Sequence, residues 1–453
     1  MSDSPKIFTV RSQMIQERRF DPEYHYALLN VGIKSPYPLV KLLSLAYFKT
    51  GGTPSTSSAA YWGGSLPWVS AKDFKTFRFE DSEDHITELA AREATTYVVD
   101  KPALLMVSRS GILQHSLPVM VTYKRTAINQ DIKAFFPDGR VTVDYLGAYF
   151  DLMGKKLLPL LCKSGATVQS LNTNELLNLP IPVPPPEVQR QIVKELDAAY
   201  AAKQKADEKA AQLLASIDDV VLSELGIPKL PPQDTSLRAR IFTVSSSEIF
   251  ENRIDASAYQ DLRRQFVKNV GKSRYPNVTL GALVNVNRQQ TDSLNGRQYV
   301  GLENIDGATG DFLSTQDKEA LSSAVLFKEG EILFPKLRPY LNKVWLATFD
   351  GAASTEFYPL QSKTEDASYL TAYLRTKAVA NVMTLLMTGN TLPRVQLEDI
   401  LSLPVPVPPR SVQHRIVEKV SAIREKAKRL KSAAAEALSA AKSSMGNEIL
   451  AQG

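Results

Sequence analysis

The sequence is almost without cysteine. Cys162 is the single one in 453 residues, which excludes an internal disulfide and any cysteine-based zinc site. Histidine is nearly as scarce. The four histidines stand at 25, 85, 115 and 414, none with a second three or four residues away, so no helical metal pair is signalled. Each is expected as a surface or packing residue. No apolar run approaches the roughly 20 residues that span a bilayer. The first residues, MSDSPKIFTV, lack the basic start and apolar stretch of a signal peptide. A cytoplasmic location is expected. Catalytic signatures are missing as well. Every Pro-Pro is followed by Pro, Glu, Arg or Gln, so the Pro-Pro-aromatic loop of an amino-methyltransferase is absent. No glycine-rich cofactor turn follows a strand. Gly271-Lys272-Ser273 has the end of a P-loop, but Phe266 stands where its first glycine belongs. Asp138-Gly139-Arg140 lacks the Glu-x-Lys a nuclease would place downstream. A Ser-His-Asp site needs no adjacency in sequence; nothing favours one.

What is present is a folded composition, 43% hydrophobic and 23% charged, over a length that suits two domains with connectors. The net charge of +6 is a mild basic bias that fits a nucleic-acid partner.

The strongest feature is internal duplication. LPIPVPPPEVQRQIV, from Leu179 to Val193, returns as LPVPVPPRSVQHRIV, from Leu403 to Val417, at an offset of 224 residues. SGATVQSLNTNELLNLP from Ser164 aligns with TGNTLPRVQLEDILSLP from Thr388 at the same offset. Upstream the offset drifts, as loop insertions would make it. IFTV occurs at Ile7 and Ile241, and Tyr37-Pro38 and Tyr275-Pro276 each precede an apolar run. Each copy reads as an N-terminal arm, short strands and loops, a small helix, a glycine turn, a proline-rich corner and a long helix.

After each corner an apolar stripe repeats at helical spacing. Val188, Ile192, Leu196, Ala199, Ala202, Ala206, Ala210, Leu213, Ile217 and Val221 form the first stripe. Val412, Ile416, Val420, Ile423, Ala427, Leu430, Ala434, Ala437, Ala441 and Met445 form the second. Gly226-Ile227-Pro228 ends the first helix. So narrow a stripe asks for a partner helix. Residues 187–226 hold five Lys/Arg against eight Asp/Glu, and residues 410–450 nine against four, so the two helices are expected to pair with each other; the pair is read as an antiparallel coiled coil. The alternative is that each helix packs on its own domain. A helix of roughly 35–40 residues is on the order of 55 Å long.

Between arm and corner each copy reads as an α+β domain. ALLMVSRSG from Ala103 and EILFPKLRPY from Glu331 read as buried strands entering basic loops. VDYLGAYFDLMGKKLLPLL from Val143 and ASYLTAYLRTKAVANVMTLL from Ala367 read as helices. GGTPSTSSAAYWGGSLPWVSAKDF, from Gly51 to Phe74, is expected to form a tight turn with backbone N–H groups free for phosphate. Trp68 is expected to pack beneath that loop, and Trp62 lies nearby. The second copy has NRQQTDSLNGRQYVGLENID from Asn287, without tryptophan. Scaffolds that agree at the corners and differ in the loops suggest different targets. Arginine suits guanine edges, and Asn or Gln suits adenine edges. The candidate DNA contacts are Lys72, Ser108, Arg109, Gln114, Thr167 and Gln169 in the first copy. In the second they are Arg288, Gln289, Lys336, Arg338, Asn342, Lys343, Asn390, Arg394 and Gln396. The alternative for each is a plain solvated side chain.

Two modules, each ending in LPxPVPP and a long helix, resemble the specificity subunit of type I restriction-modification systems over nearly the whole chain. The GGTPS…YWGG.LPWVSAKD stretch resembles that family's target-recognition domains, and the second module departs from this tryptophan-containing pattern. The resemblance implies a first target-recognition domain over 1–185 and a central spacer helix over 186–226. A linker over 227–240, a second domain over 241–408 and a C-terminal spacer helix over 409–453 follow. It implies a non-catalytic chain in which each domain reads one half of a split, asymmetric DNA target, the halves on opposite strands. The paired helices, through Val188, Ile192, Leu196, Leu213, Ile217, Val221, Val412, Ile416, Val420, Ile423 and Leu430, would fix the gap. They would also dock methyltransferase subunits, two of them, that methylate adenine. Motor-nuclease subunits would join, with S-adenosylmethionine, ATP and magnesium on those partners and no cofactor on this chain. Against this stand a DNA-modifying enzyme with an unfamiliar motif and a protein-interaction scaffold without a DNA role.

Overall fold

A computed structural model describes residues 24–26, 32–162, 168–230, 236, 238, 241–245, 256–314, 323–389 and 392–450. Thr167, Asn390 and the first IFTV lie outside them. The chain divides into two compact units, residues 1–205 with 433–453 and residues 206–432. Among the described residues no helix is long and apolar enough to cross a membrane.

The first unit holds β1 (Leu39–Lys41), β2 (Ala46–Thr50), β3 (Trp62–Val69), β4 (Asp84–Ile86), β5 (Tyr97–Val99), β6 (Ala103–Val107), β7 (Val119–Thr122), β8 (Thr126–Ile128), β9 (Ile132–Pro137) and β10 (Pro180–Pro182). They form an antiparallel sheet in the order β2-β9-β6-β7, a mixed sheet β4-β3-β8-β5 and the pair β1-β10. Every residue of β6 is buried. Its alternate side chains serve two cores: Leu104 and Met106 enter one, Ala103, Leu105 and Val107 the other. A strand covered on both faces reads as a continuous apolar run.

The second unit holds β11 (Asn277–Thr279), β12 (Val284–Val286), β13 (Gln290–Thr291), β14 (Gln298–Val300), β15 (Ala324–Phe327), β16 (Ile332–Pro335), β17 (Trp345–Leu346), β18 (Gly351–Ser354), β19 (Phe357–Ser362) and β20 (Pro404–Pro406). Its antiparallel sheet runs β12-β19-β16-β17, strand for strand the order of the first unit, and β11 pairs β20. The mixed sheets agree only at their centres. β3-β8-β5, with β3 and β8 parallel, matches β14-β18-β15, with β14 and β18 parallel. The fourth strand is added on opposite edges, β4 beside β3 and β13 beside β15.

The two proline corners are fastened alike. Tyr145 and Tyr149 lie one turn apart on the helix Val143–Leu161, and their hydroxyls donate to Pro182 O (2.9 Å) and Pro180 O (3.4 Å). Tyr369 and Tyr373 donate to Pro406 O and Pro404 O, both at 2.7 Å. Proline has no N–H, so its carbonyl is the group a corner strand can offer. Gln189 is buried at the start of the central helix. It accepts from Thr142 N and donates to Arg140 O and Pro184 O, all at 2.9 Å. Its repeat partner Gln413 accepts from Asp366 N and donates to Pro408 O and Glu365. The helix expected from Ala367 is two helices, Ala367–Leu374 and Lys377–Leu385. The Thr376 side chain caps the second by accepting from Val379 N.

The central helix runs from Pro186 to Ala215 and resumes as Ile217–Leu225. At the break the Ser216 hydroxyl donates back to Leu213 O at 2.7 Å, a local bond that competes with the ladder. The C-terminal helix is continuous from Arg410 to Ile449. In the first unit Ile192 and Leu196, with Val188 partly buried beside them, share a core with Leu438, Met445 and Ile449. In the second unit Val221, with Ile217 at its edge, shares a core with Val412, Ile416 and Val420. Glu224 there pairs with Arg415 and Lys419. The helices therefore pair, as their charges suggested, and they run antiparallel. Leu213, Ile423 and Leu430 are half-buried. Ala202 and Ala437 lie off the seam and are exposed, and Leu438 takes the position expected of Ala437.

The packing also answers the alternative that each helix stays on its own domain. The N-terminal half of each helix packs on its own module and the C-terminal half on the other copy's. The Ser-x-Tyr-Pro turns close this exchange. Ser35 donates to Ile449 O (2.6 Å) and Tyr37 to Glu448 (2.8 Å) in the first unit. Ser273 donates to Leu225 O (3.0 Å) in the second.

Candidate nucleic-acid interface

The glycine turn of the first module serves packing rather than open amides. A Cβ on Gly51 would lie 1.7 Å from Ile128 O, and the Gly52 N–H, expected free, donates to that same oxygen at 3.2 Å. Trp68 is buried as expected, its indole N–H on Gly52 O at 3.3 Å. Trp62 meets it edge-on, ring centres 5.2 Å apart, and donates to Ser55 O. β3 leads into a short turn in which the buried Asp73 accepts from Ser70 N at 2.8 Å. β14 leads into the same turn, where the buried Asn304 accepts from Gly301 N at 2.8 Å. The stretches VSAKD and VGLEN share only their valine, so this common cap shows in the backbone bond and not in the residues. Lys72 sits in the first of these turns, exposed, between Asp84 (2.9 Å) and Glu83 (3.3 Å); the bond to Asp84 raises its pKa.

At the far end of β6, Ser108 is buried, donating to Asp131 O, and Arg109 pairs with the Asp131 carboxylate at 2.7 Å. Arg109 bridges Ser170, and Ser110 N donates to Gln169 O. Gln114 is exposed on the turn Gly111–Gln114 that follows. The second module repeats this backbone. Lys336 N donates to Glu356 O as Ser108 N does to Asp131 O, and Val395 N to Lys336 O as Leu171 N does to Ser108 O. Leu337 then bridges Arg394 where Arg109 bridges Ser170. The arginine has changed strands: Arg394, from the Ser170 position, makes a two-pronged pair with Glu356 at 2.7 and 2.9 Å. Each module thus presents one arginine, held by one carboxylate at equivalent points of the chain. Asp131 and Glu356 were missed in the sequence, because their pairing depends on a turn brought in from another strand.

Lys336, in the Ser108 position, lies 4.3 Å from the centre of the Tyr358 ring, and burial lowers its pKa. Lys133 lies 4.4 Å from the Phe48 ring centre in the first module, also with its pKa lowered by burial. The loop after β16 is held in left-handed conformations at Arg338 and Asn342, both at φ 52°. Arg338 is exposed there. Asn342 and Lys343 spend their side-chain donors internally, on Arg375 O (2.7 Å) and Leu302 O (2.8 Å). Gln396 donates to Thr388 at 2.9 Å. Arg288 and Gln289 are exposed just before β13. The fold thus gathers Ser108, Arg109 and Gln169 in one module and Lys336, Arg394 and Gln396 in the other. Lys72 sits apart on the mixed sheet, and Arg288 and Gln289 on the edge it adds.

The family model described as the type I restriction modification DNA specificity domain matches residues 35–213 and again 273–437. The chain belongs to that family. Among curated relatives, the specificity subunit of the type I restriction enzyme EcoR124I/EcoR124II of Escherichia coli is 35% identical over 148 residues, 32% of this chain and 37% of that protein. The MjaIX specificity subunit of Methanocaldococcus jannaschii is 28% identical over 199 residues, 42% of this chain and 45% of that one. These matches span less than half the length of either relative. A solved type I restriction-modification S subunit from M. genitalium is 10% identical, with a TM-score of 0.42 over 92% of this chain and 97% of that one. The HsdS subunit from Thermoanaerobacter tengcongensis is 13% identical, with a TM-score of 0.33 over 90% and 95%. For a DNA specificity domain matched twice, two arginine-bearing ends on one repeated scaffold are the features to explain.

Proposed function

We propose that this chain is the sequence-reading subunit of a type I restriction-modification complex, acting in the cytoplasm without a catalytic site of its own. Each module reads one half of a split target, with the halves on opposite strands. The observation that carries the reading is a scaffold whose antiparallel sheet is duplicated strand for strand, and whose differences include the added edge strand, the tryptophan turn and the Arg109 and Arg394 ends. Selection for different targets would produce that pattern. The paired helices fix the gap and dock two methyltransferase subunits, which carry S-adenosylmethionine. Motor-nuclease subunits, with ATP and magnesium, complete the assembly.

The test is co-expression with methyltransferase subunits, followed by mapping of methylated adenines in host DNA. The expected result is a split motif, methylated in both halves and lost when this gene is deleted. Unchanged methylation after deletion would overturn the reading. Binding to duplex DNA should weaken steeply with salt, whereas an interaction scaffold without a DNA role would not bind DNA.

A further inference from the structure

The second unit contains a cavity of about 520 Å³. Its walls carry Arg375, Lys377, Arg424 and Lys431 against one carboxylate, Asp218. A cavity of this size is in the range of small-molecule sites; of its cations Arg375 is buried and Arg424 half-buried, while Lys377 and Lys431 are exposed. Arg375 is only 6% exposed. It is held on three carbonyl oxygens, Asn342 O at 2.8 Å, Val344 O at 2.7 Å and Gly307 O at 2.9 Å. Among the described residues neither Arg375 nor Arg424 has a carboxylate at ion-pair distance. Asp218, Asp306 and Asp311 act on Arg375 from farther away. Both Asp218 oxygens accept from the Lys377 N–H at 3.2 Å. Two buried atoms of residues that line this cavity have no hydrogen-bond partner, the Arg424 Nε–H and the Asn342 side-chain oxygen. A buried guanidinium donor left unpaired is costly.

The repeat provides an internal control. At the offset of 224 residues, Arg375, Arg424 and Asp218 correspond to Asp151, Tyr200 and Lys442. Those three neutralise one another in the first unit. Lys442 pairs with Asp151 at 2.7 Å, and the Tyr200 hydroxyl donates to the same carboxylate. The same three places in the second unit hold two cations and one anion, with Lys377 and Lys431 added. A duplicated core tends to keep its charges balanced, because unpaired buried charge destabilises the fold. The second unit keeps the imbalance where the first does not.

We propose that this cavity binds a phosphate group, carried by a small phosphorylated molecule or by a DNA backbone. Arg424 provides a guanidinium edge suited to two oxygens, the exposed Lys377 and Lys431 add two further cations, and the buried Arg375 adds its field. Only the DNA source rests on the DNA-recognition reading.

The experiment uses the full chain and two variants, Arg424→Gln and Lys431→Gln. Lys431 is exposed on its helix, so its loss leaves the core intact if Arg424→Gln does not fold. Pyrophosphate is titrated at constant ionic strength by calorimetry and thermal unfolding, and duplex DNA binding is measured across a salt series. If the ligand is small, pyrophosphate raises the melting temperature of the natural chain, and each variant weakens its binding roughly tenfold or more. If the phosphate is DNA's, pyrophosphate has no effect, while each variant weakens DNA uniformly across sequences and lowers the salt slope by about one. Pyrophosphate binding without any DNA binding would refute the DNA reading and leave the cavity assigned. No pyrophosphate binding, with DNA affinity and salt slope unchanged in both variants, would overturn the proposal.

Discussion

Asp131→Ala separates reading from folding. The Asp131 carboxylate accepts from Arg109 at 2.7 Å, and the two side chains are 22% and 57% exposed. Exposed ion pairs contribute about 0–1 kcal/mol, so the denaturation midpoint should scarcely move. The bonds that Ser108 N and Oγ donate to Asp131 O remain. What disappears is the group that aims the guanidinium. A well-placed arginine on a guanine edge discriminates by about 1–3 kcal/mol, or roughly five- to more than a hundredfold in affinity. The variant should therefore weaken or relax the half-site read by the first module and leave the other half intact. The assay is methylome mapping with the variant, beside anisotropy titrations against duplexes altered in one half at a time. Glu356→Ala should do the mirror experiment on the other half. Equal effects of Asp131→Ala on both halves would refute the reasoning. So would a loss of stability above about 2 kcal/mol with unchanged selection, since the pair would then be a structural tie.

Gln189→Ala removes three hydrogen bonds from a buried corner and should cost about 2–4 kcal/mol in urea unfolding, at about 1 kcal/mol per bond plus the groups left unpaired. Gly51→Ala should destabilise severely, because its Cβ has no room beside Ile128 O; a variant as stable as the natural protein in thermal unfolding would mean the turn can move. Lys419 and then Arg415 hold the Glu224 carboxyl below its ordinary pKa. Their contribution is therefore present above the unfolded pKa and is lost as pH falls through the lower folded value. Glu224→Gln should flatten the pH dependence of urea stability in that acidic window. Inserting four residues near Ala206 should lengthen the gap between half-sites and leave both halves unchanged; altered halves in the methylome would count against the spacer role.

The repeat, the proline corners, the long helices and the buried strands at Ala103 and Glu331 were legible in the sequence, because each rests on local periodicity or on identity at a fixed offset. That the two helices attract was legible too, since their opposite net charges are a property of composition; their antiparallel sense rests on which residues share a core. Other features needed the third dimension. VSAKD and VGLEN differ at most positions, and only the backbone bond each cap makes shows that they are one turn. The exchange of helix halves between modules could not be read from a stripe, which says that a face is buried and not which neighbour buries it. Arg109 and Arg394 could be singled out by residue type, but the carboxylates that hold them come from turns over 20 residues away in the chain. The charge difference between positions 151, 200 and 442 and positions 375, 424 and 218 is written in the aligned sequences. It acquired meaning only once folding brought those three positions together, because charges interact through space and not along the chain.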